Sequence, residues 1–171
     1  MVMQELRCAP RPVNHRARSL TLGLLLPAAV TFAAAWQMPA YGGVMQLLSL
    51  VLIVIALFVA YKFIFSAYVY TLTDPGDGVP CLLVEQVQGK RSSLVCRLPL
   101  YAVLRVLPAK AEPARGKAYV YTATMSGGHY QYVVGRMDGV DILLKLEADE
   151  DFVAALTAAS EEARRARIQE N

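Results

Sequence analysis

The side chains that most often carry catalysis or hold metal ions are few in this sequence. It contains two histidines, His15 and His129, and three cysteines, and neither set has the close spacing typical of a zinc site. Cys81 and Cys96 are better interpreted as small buried hydrophobic residues in a reducing compartment. Nucleophilic catalysis needs a base beside a serine or cysteine, and the sequence shows no such motif. We therefore expect a non-enzymatic protein without metal or cofactor.

Aromatic and basic residues offer a different chemistry, that of a binding surface. Four tyrosines fall on one predicted face of a β-hairpin: Tyr119, Tyr121, Tyr130 and Tyr132. Rings with polar tips suit a partner protein, the membrane interface or a contact between copies of the chain; alternatively, they stabilise a solvated sheet. The second candidate is the pair Lys90 and Arg91 at a hairpin turn. These two cations suit weak contact with anionic lipid headgroups; alternatively, they are part of an ordinary solvated turn.

Two apolar segments precede the region that carries these residues. The chain has 171 residues, of which 56% are hydrophobic and 18% charged, and no Asp, Glu, Lys or Arg occurs from Ser19 to Tyr61. At about 1.5 Å per helical residue, this stretch can cross a hydrocarbon core of about 30 Å twice. A proline and two glycines within 38–43 predict the turn. We expect transmembrane helices at about 20–38 and 44–68.

Small residues at four-residue spacing indicate where the two helices touch. Ala29 and Ala33 have this spacing in the first helix, and Ala56 and Ala60 have it in the second. Alanine is also simply common in membrane helices. The pattern therefore predicts helix contact through these four residues without excluding that plainer interpretation.

Charge predicts the orientation of both helices. Four arginines and one acidic residue, Glu5, precede the first helix, whereas the turn is uncharged. Basic residues stay cytoplasmic, so we expect a cytoplasmic segment 1–18, two helices within 19–70 and a cytoplasmic domain 71–171, in the plasma (inner) membrane. Residues 1–35 also resemble a signal peptide. Its cleavage would leave the second helix to cross inward, and the C-terminal domain would still be cytoplasmic.

The region after residue 70 has the composition of an ordinary globular domain. Its acidic and basic residues are nearly equal in number, so it offers no basic field for nucleic acid. Its pattern predicts strands at 69–73, 81–88, 91–98, 100–107, 117–125, 129–137 and 140–146, with two-residue turns at Gly89-Lys90, Gly127-Gly128 and Asp138-Gly139. An acidic cap starting at Asp149 predicts an amphipathic helix over 149–168.

Alternation of side chains along these strands predicts which face is buried. In the later strands, the predicted core positions are Val120, Thr122, Val133, Met137, Val140, Ile142, Leu144 and Leu146. The predicted outward face holds the four tyrosines with Val134, Arg136, Asp141, Leu143 and Lys145, and it pairs Arg136 with Asp141. In the first hairpin, the predicted core positions are Cys81, Leu83, Val87, Leu94, Cys96 and Leu98. Glu85 falls on the same face, which is unexpected for a charged residue.

The order of these elements resembles the bacterial pleckstrin-homology-like (bPH) membrane proteins. The residues that carry the resemblance are 70–74 (Tyr-Thr-Leu-Thr-Asp) after the second helix, the hairpins, and 149–156 (Asp-Glu-Asp-Phe-Val-Ala-Ala-Leu); it covers about 69–165. It implies an α+β membrane protein with an N-terminal transmembrane helical hairpin. An antiparallel PH-like β-barrel or sandwich follows, capped by the C-terminal amphipathic helix. Eukaryotic relatives bind phosphoinositides through an Arg-x-Arg element on the first hairpin. This chain lacks that element.

These features together predict a double-pass membrane protein whose cytoplasmic PH-like domain is a non-enzymatic binding or interaction module. Its expected partners are the lipid bilayer, a protein or second copy of the chain, and weakly bound anionic lipid, but not nucleic acid. The alternative is a structural subunit or oligomerisation module of a larger membrane assembly.

Overall fold

The computed structural model describes residues 5–10, 14–38, 40–74, 79–108, 116–125, 130–137 and 139–170. The chain is an α+β protein with two N-terminal apolar helices, two sheets and a C-terminal helix, as predicted at this level. It divides into two compact units. The helical unit comprises Val13–Ser66 and Thr124–Ser126; the sheet unit comprises Met1–Pro12, Ala67–Ala123 and Gly127–Asn171.

Two long apolar helices form the helical unit, α1 at His15–Gln37 and α2 at Gly42–Phe63. Each is long and apolar enough to cross a membrane, and only 11% and 22% of their most apolar windows are buried within the chain. The predicted turn residue Pro39 lies outside the described residues. α2 ends at Phe63 rather than near residue 68, because the chain is extended from Ser66 onward and pairs in a sheet.

Small side chains form the contact between α1 and α2. Ala28 and Ala35 are buried on α1, and on α2 Gly42, Ser49 and Ala56 are buried at the same interval of seven residues. This is the period at which two helices wound around each other meet. The Ser49 hydroxyl donates a hydrogen bond of 2.8 Å to the carbonyl oxygen of Ala28. A Cβ atom on Gly42 would lie 3.0 Å from the Ala35 carbonyl oxygen, so the helices are in close contact.

The predicted contact residues are therefore right for α2 and wrong for α1. Ala56 and Ala60 are buried, whereas Ala29 and Ala33 are exposed. Four-residue spacing identifies a face only to within one residue, and the contact face of α1 is the neighbouring one that contains Ala28.

A buried asparagine fixes the ends of the helical unit. The side-chain amide of Asn14 donates to the carbonyl oxygen of Phe63 at the end of α2. Its side-chain oxygen accepts a hydrogen bond of 3.3 Å from the backbone N–H of Met125. One side chain thus joins the start of α1 to the end of α2.

The first sheet has the strand order β1-β2-β3-β4. The pair β1 and β2 and the pair β3 and β4 are both antiparallel. The strands are β1 at Leu6–Cys8, β2 at Ser66–Thr73, β3 at Cys81–Gln88 and β4 at Arg91–Pro99. The hairpin of β3 and β4 confirms the prediction, and its turn residue Gly89 has a φ of 59°, which glycine adopts readily. β1 was not predicted, because three residues are too short for a strand pattern.

A β-bulge in β4 changes which residues of this hairpin face the core. Glu85 pairs with Leu94 but Val84 pairs with Cys96, so Val95 is the extra residue. Beyond the bulge the alternation is shifted by one position. Leu82, Val84 and Leu98 are therefore buried, as is Cys81, while Val87 and Cys96 are half-buried.

Three predicted core positions in this hairpin are consequently wrong. Leu83 and Val87 lie on the opposite face of β3 from the buried Leu82 and Val84 and are only half-buried, and Leu94 is 56% exposed. The shift also removes the anomaly at Glu85, because this residue does not share a face with the buried Val84. Its carboxylate instead accepts a hydrogen bond of 3.1 Å from the Ser92 hydroxyl.

The second sheet has the strand order β5-β7-β8-β6. After a 3₁₀ turn at Leu100–Ala102, its strands are β5 at Val103–Pro108, β6 at Lys117–Tyr121, β7 at Gln131–Met137 and β8 at Val140–Leu146. The β7–β8 hairpin is confirmed. Arg136 lies opposite Asp141 as predicted, with 2.7 Å between Nε and Oδ1, and this ion pair lowers the pKa of the Asp141 carboxyl.

The predicted hairpin of β6 and β7 is wrong. β6 pairs in parallel with β8, with Lys117 opposite Ile142 and Tyr121 opposite Leu146, so this sheet is mixed rather than antiparallel. The proposed turn Gly127-Gly128, as well as Asp138 of the next turn and His129, lies outside the described residues. Gly116 permits the parallel pairing, because a Cβ atom there would lie 2.7 Å from the Asp141 carbonyl oxygen.

The parallel register also corrects the predicted faces. Thr122, Val133, Ile142, Leu144 and Leu146 are buried as predicted, but Val120, Met137 and Val140 are exposed. Tyr119 and Tyr121 lie opposite Leu144 and Leu146, so they face the core and Val120 points away from it. Val134 and Leu143, predicted to face outward, pair across the hairpin and are both buried. This hairpin is therefore buried on both faces.

The C-terminal helix α3 spans Glu150–Glu170, close to the prediction. The Asp149 carboxylate accepts a hydrogen bond of 2.8 Å from the backbone N–H of Phe152, which caps the helix as predicted. Phe152 and Leu156 enter the core beside Tyr70, whose ring centroid is 6.2 Å from that of Phe152. The helix thus packs onto a core that both sheets share.

Candidate binding groove

Two edge strands border the candidate site. Within the part of the chain that the structure describes, β4 has a neighbour only in β3, and β6 has a neighbour only in β8. An edge strand presents a row of N–H and C=O groups that a neighbouring strand does not use. The two edges therefore leave an opening between the two sheets of this unit.

A groove with a volume of about 480 Å³ occupies this opening. β4 contributes Val95, Cys96 and Arg97, and β6 contributes Lys117, Tyr119 and Tyr121. The floor is apolar and comes from the β7–β8 hairpin, through Met137, Val140, Ile142 and Leu144. Its volume lies in the range typical of ligand pockets.

Both charged residues that line the groove are basic. Arg97 and Lys117 are exposed, and no acidic residue is among the groove residues. The Lys117 ammonium lies 5.2 Å from the centre of the Tyr119 ring, within the range of a cation–π contact. The groove therefore combines an apolar floor with a positive rim, which suits an apolar group that carries a negative charge.

The tyrosines of β6 form one wall. The rings of Tyr119 and Tyr121 stack nearly parallel, with 6.3 Å between their centres. Tyr68 of β2 lies against Tyr121, with 5.9 Å between the centres of their rings. The Tyr121 hydroxyl reaches across to β4, 3.5 Å from the Val95 carbonyl oxygen. This hydrogen bond is long and therefore weak.

Burial keeps the polar groups of this wall neutral. Desolvation, with smaller contributions from Cys96 and neighbouring tyrosines, raises the pKa of Tyr121 to about 12. Desolvation also raises the pKa of the Cys96 thiol, against a smaller opposing effect of its hydrogen bond with Tyr121. A thiol that remains protonated is a poor nucleophile. The Cys96 thiol and the Tyr121 hydroxyl therefore keep their protons at neutral pH.

A buried hydrogen-bond chain positions the end of β6. The Tyr70 hydroxyl donates a hydrogen bond of 2.6 Å to the Tyr121 carbonyl oxygen and accepts one of 3.0 Å from the Glu147 backbone N–H. The Glu147 carboxylate accepts a hydrogen bond of 3.0 Å from the backbone N–H of Ala123. Because Tyr70 is fully buried, this chain fixes β6, and hence the tyrosine wall, to β2.

The four predicted tyrosines do not form one outward stripe. Tyr119 and Tyr121 line the groove on the core side, whereas Tyr132 lies opposite Lys145 on the other side of its sheet. Tyr130 contacts Tyr132 edge-on, with 5.5 Å between ring centres, and the Lys145 ammonium lies 3.7 Å from the centre of the Tyr130 ring. The prediction was wrong because it assumed a β6–β7 hairpin.

The predicted cationic pair occupies the tip of the first hairpin. Lys90 is in the turn and Arg91 begins β4, and both are exposed. Neither lines the groove. Among the described residues, no group of three or more His, Cys, Asp or Glu side chains is arranged to hold a metal ion.

Sequence reasoning did not assemble the groove. Its four floor residues were predicted together on one face, but as core positions: Met137, Val140, Ile142 and Leu144. Lys117 had no pattern that would associate it with them. Arg97 was visible only as an isolated cation on the first hairpin. A parallel neighbour for β6 was the missing information, and nothing local to β6 encodes it.

A scan against protein-family models and a search of curated proteins give no match to this chain. The geometry of the groove and of the apolar helices therefore carries the functional interpretation.

Proposed function

We propose that this chain is a double-pass membrane protein whose C-terminal domain binds a cytoplasmic partner in the groove between β4 and β6. The groove is the observation that carries the proposal, because it joins an apolar floor, an aromatic wall and two cations within one opening. Interaction sites typically combine apolar and aromatic anchors with a polar rim.

Membrane insertion is supported by the residues that the two helices leave exposed. Leu26 and Val30 of α1 and Leu47 and Phe58 of α2 are each more than 60% exposed, while alanine, glycine and serine form the helix contact. An apolar surface of this extent is unfavourable in water but matches a lipid core. Both helices also have the length that a crossing needs.

Chain connectivity supports a topology with both ends on one side. β1 precedes α1, β2 follows α2, and these strands pair with Leu6 opposite Leu72. A helical pair that crosses the bilayer must therefore begin and end on the same side. The arginines before α1 favour the cytoplasmic side of the plasma (inner) membrane. The pairing also favours retention of residues 5–10 over cleavage of a signal peptide.

We further propose that the C-terminal domain is a divergent PH-like module of the bPH type. Two four-stranded sheets and a C-terminal helix that packs into their shared core support this relationship. The parallel position of β6 departs from the antiparallel meander, so the likeness lies in the order of elements rather than in every strand connection.

The alternative role, a subunit or oligomerisation module of a membrane assembly, is favoured by one feature. The edge strand β4 exposes Leu94 by 56% and Val95 by 37%, and apolar edge strands pair readily between chains. Contact between copies through β4 would produce a defined oligomer of the full-length protein in mild detergent.

The topology is testable with single cysteines. In a Cys96→Ser background, where the remaining Cys8 and Cys81 are buried, we place a cysteine at Tyr41 between the helices or at Ser92 in β4. A membrane-impermeant maleimide should modify Tyr41→Cys in intact cells, and Ser92→Cys only after permeabilisation. Reaction of Ser92→Cys in intact cells would refute a cytoplasmic domain.

The groove is testable by photo-crosslinking in native membranes. Benzoylphenylalanine in place of Val140, which is 54% exposed in the groove, should yield a discrete adduct with a partner. The same group in place of Ile168, which is 77% exposed on α3, is the matched control. Equal adducts from both positions, or none from Val140, would argue against the groove as the binding site.

A further inference from the structure

We infer that the groove takes an extended, acidic peptide segment, which adds as a strand along the free edge of β4. This inference rests on the proposed function and names the chemical class of the partner. It follows from the backbone at the groove, the charge of its rim and the nature of its floor.

The backbone of β4 offers a template for another strand. It is a nine-residue strand whose one strand neighbour among the described residues is β3. β4 carries two features that hinder pairing between edges, the bulge at Val95 and its two arginines, yet Leu94 and Val95 still expose apolar side chains. The contact from Tyr121 to the Val95 carbonyl oxygen is long, at 3.5 Å, so an incoming N–H replaces it at low cost.

The floor of the groove determines what such a strand presents. Ile142, Leu144 and Met137 accept apolar side chains, and Tyr119 and Tyr121 form the wall beside them. Side chains of an added strand alternate, so every second residue enters the groove while the others remain at the rim. The fitting segment therefore alternates apolar and polar residues.

The charge of the rim selects acidic residues at those polar positions. Arg97 and Lys117 line the groove, and Arg91 begins β4, while neither β4 nor β6 contains an acidic residue. Negative charge in the ligand is complementary to this edge, and positive charge is opposed by it.

The same charges disfavour a second copy of the chain as the occupant. The β4 strand of a second copy would bring Arg91 and Arg97, and no acidic residue, to an edge that is already positive. In an antiparallel register centred on Leu94, for example, Arg91 of each copy would face Arg97 of the other. Like charges directly opposite across two strands are destabilising. A lipid acyl chain fits the floor but has no groups that pair with the N–H and C=O row of β4.

The test uses the full-length protein in lipid nanodiscs and fluorescence anisotropy of a defined probe. The probe is a fluorescein-labelled heptapeptide of alternating Glu and Val residues. We expect saturable binding, with at least about tenfold weaker binding of the matched Lys and Val peptide. A third peptide, methylated on alternate backbone nitrogens, keeps the side chains but loses strand donors, and it should also bind at least about tenfold more weakly.

Charge reversal locates the site on the protein. Arg97→Glu combined with Lys117→Glu should weaken binding of the acidic peptide by at least about tenfold. Lys90→Glu combined with Arg165→Glu is the matched control, because these exposed cations lie outside the groove and give the same change in net charge. Circular dichroism should show both double variants folded, since all four side chains are exposed.

Three outcomes would overturn the inference: equal binding of acidic and basic peptides, unchanged binding after backbone methylation, or binding of phosphatidylglycerol vesicles but not of the acidic peptide. If the peptide fails while benzoylphenylalanine at Val140 still gives a specific adduct, the partner is of another class and the proposed function stands. If both fail, the groove has no role in binding and the proposed function fails with the inference.

Discussion

The two units of this molecule bury opposite kinds of residue. Within α1 and α2 most buried positions are alanine, with Gly42, Ser49 and Val59, while most leucine and valine side chains are exposed. In the sheet unit the most buried large side chains include Tyr70, Phe152 and Leu144. Both arrangements occur in one chain. A single tendency of apolar side chains to be buried therefore does not explain why large apolar residues are buried in one unit and exposed in the other.

The difference is the one expected if the helical unit lies in lipid, as we propose, and the sheet unit lies in water. Large apolar side chains gain by leaving water, which drives them into the core of the sheet unit. In lipid that gain is absent, and close backbone contact between small residues holds helices together. The sheet unit also leaves some apolar side chains exposed, and three of these, Val95, Met137 and Val140, line the groove.

The largest expected effect comes from matched phenylalanine truncations in the two units. Phe152→Ala should lower the free energy of unfolding by about 3–5 kcal/mol, because the ring is fully buried against Tyr70. Phe58→Ala, at a position 63% exposed on α2, should change it by no more than about 0.5 kcal/mol in a bilayer. Urea unfolding in nanodiscs, followed by circular dichroism, measures both. A comparable loss from Phe58→Ala would contradict the inside-out arrangement of the helices.

Replacing an alanine in the helix contact by leucine should have the next largest effect on stability. Ala56→Leu places a bulky side chain where α1 and α2 touch and should cost about 1–3 kcal/mol. Ala29→Leu adds the same atoms at an exposed position and should be close to neutral. Thermal denaturation of the two variants in the same nanodiscs provides the comparison. The assignment of the contact face fails if Ala29→Leu is the more damaging change.

Removing a single buried hydroxyl should sharpen the account of the tyrosine wall. Tyr70→Phe leaves the Tyr121 carbonyl oxygen and the Glu147 N–H without the hydroxyl that joins them, which should cost about 1–2 kcal/mol. Tyr132→Phe, on the other side of the sheet, is the control and should have little effect. Affinity for the acidic peptide should also fall in Tyr70→Phe, since β6 is then less firmly held. Equal stability of the two variants would show that the chain through Tyr70 does not support the groove.

The smallest expected effect is a loss of folding stability at alkaline pH, which is absent at neutral pH. Burial raises the pKa of Tyr121 to about 12 and that of Tyr70 still further, whereas both side chains lose their protons near pH 10 when unfolded. The unfolded state then binds fewer protons than the folded state, so stability falls as the pH rises from 10 through 12. Urea midpoints across this range, with tyrosinate absorbance, measure the loss. A constant or rising midpoint would contradict the burial of these hydroxyls, and Tyr70→Phe should flatten the decline.

Local signals in the sequence predicted most of the elements but not all of their partners. The β3–β4 and β7–β8 hairpins were predicted because two-residue turns bring adjacent strands together. The bulge at Val95 was not predicted, because no residue type or spacing in β4 distinguishes a bulged strand from a regular one. Of the six residues singled out for a site, Tyr119 and Tyr121 line the groove, while the cations that complete it were found only in the structure.

The sequence by itself determined the two apolar helices, most of the strand segments, the C-terminal helix and its cap at Asp149, because each depends on residues near one another in the chain. Only the tertiary structure decided the neighbour of β6. Both faces of this strand are apolar, Val120 on one and Tyr119 with Tyr121 on the other, so hydrophobicity did not determine which face turns inward. Pairing with β8 settled that choice. It gains the packing of both tyrosines over Leu144 and Leu146, a contact between distant parts of the chain that no short pattern encodes.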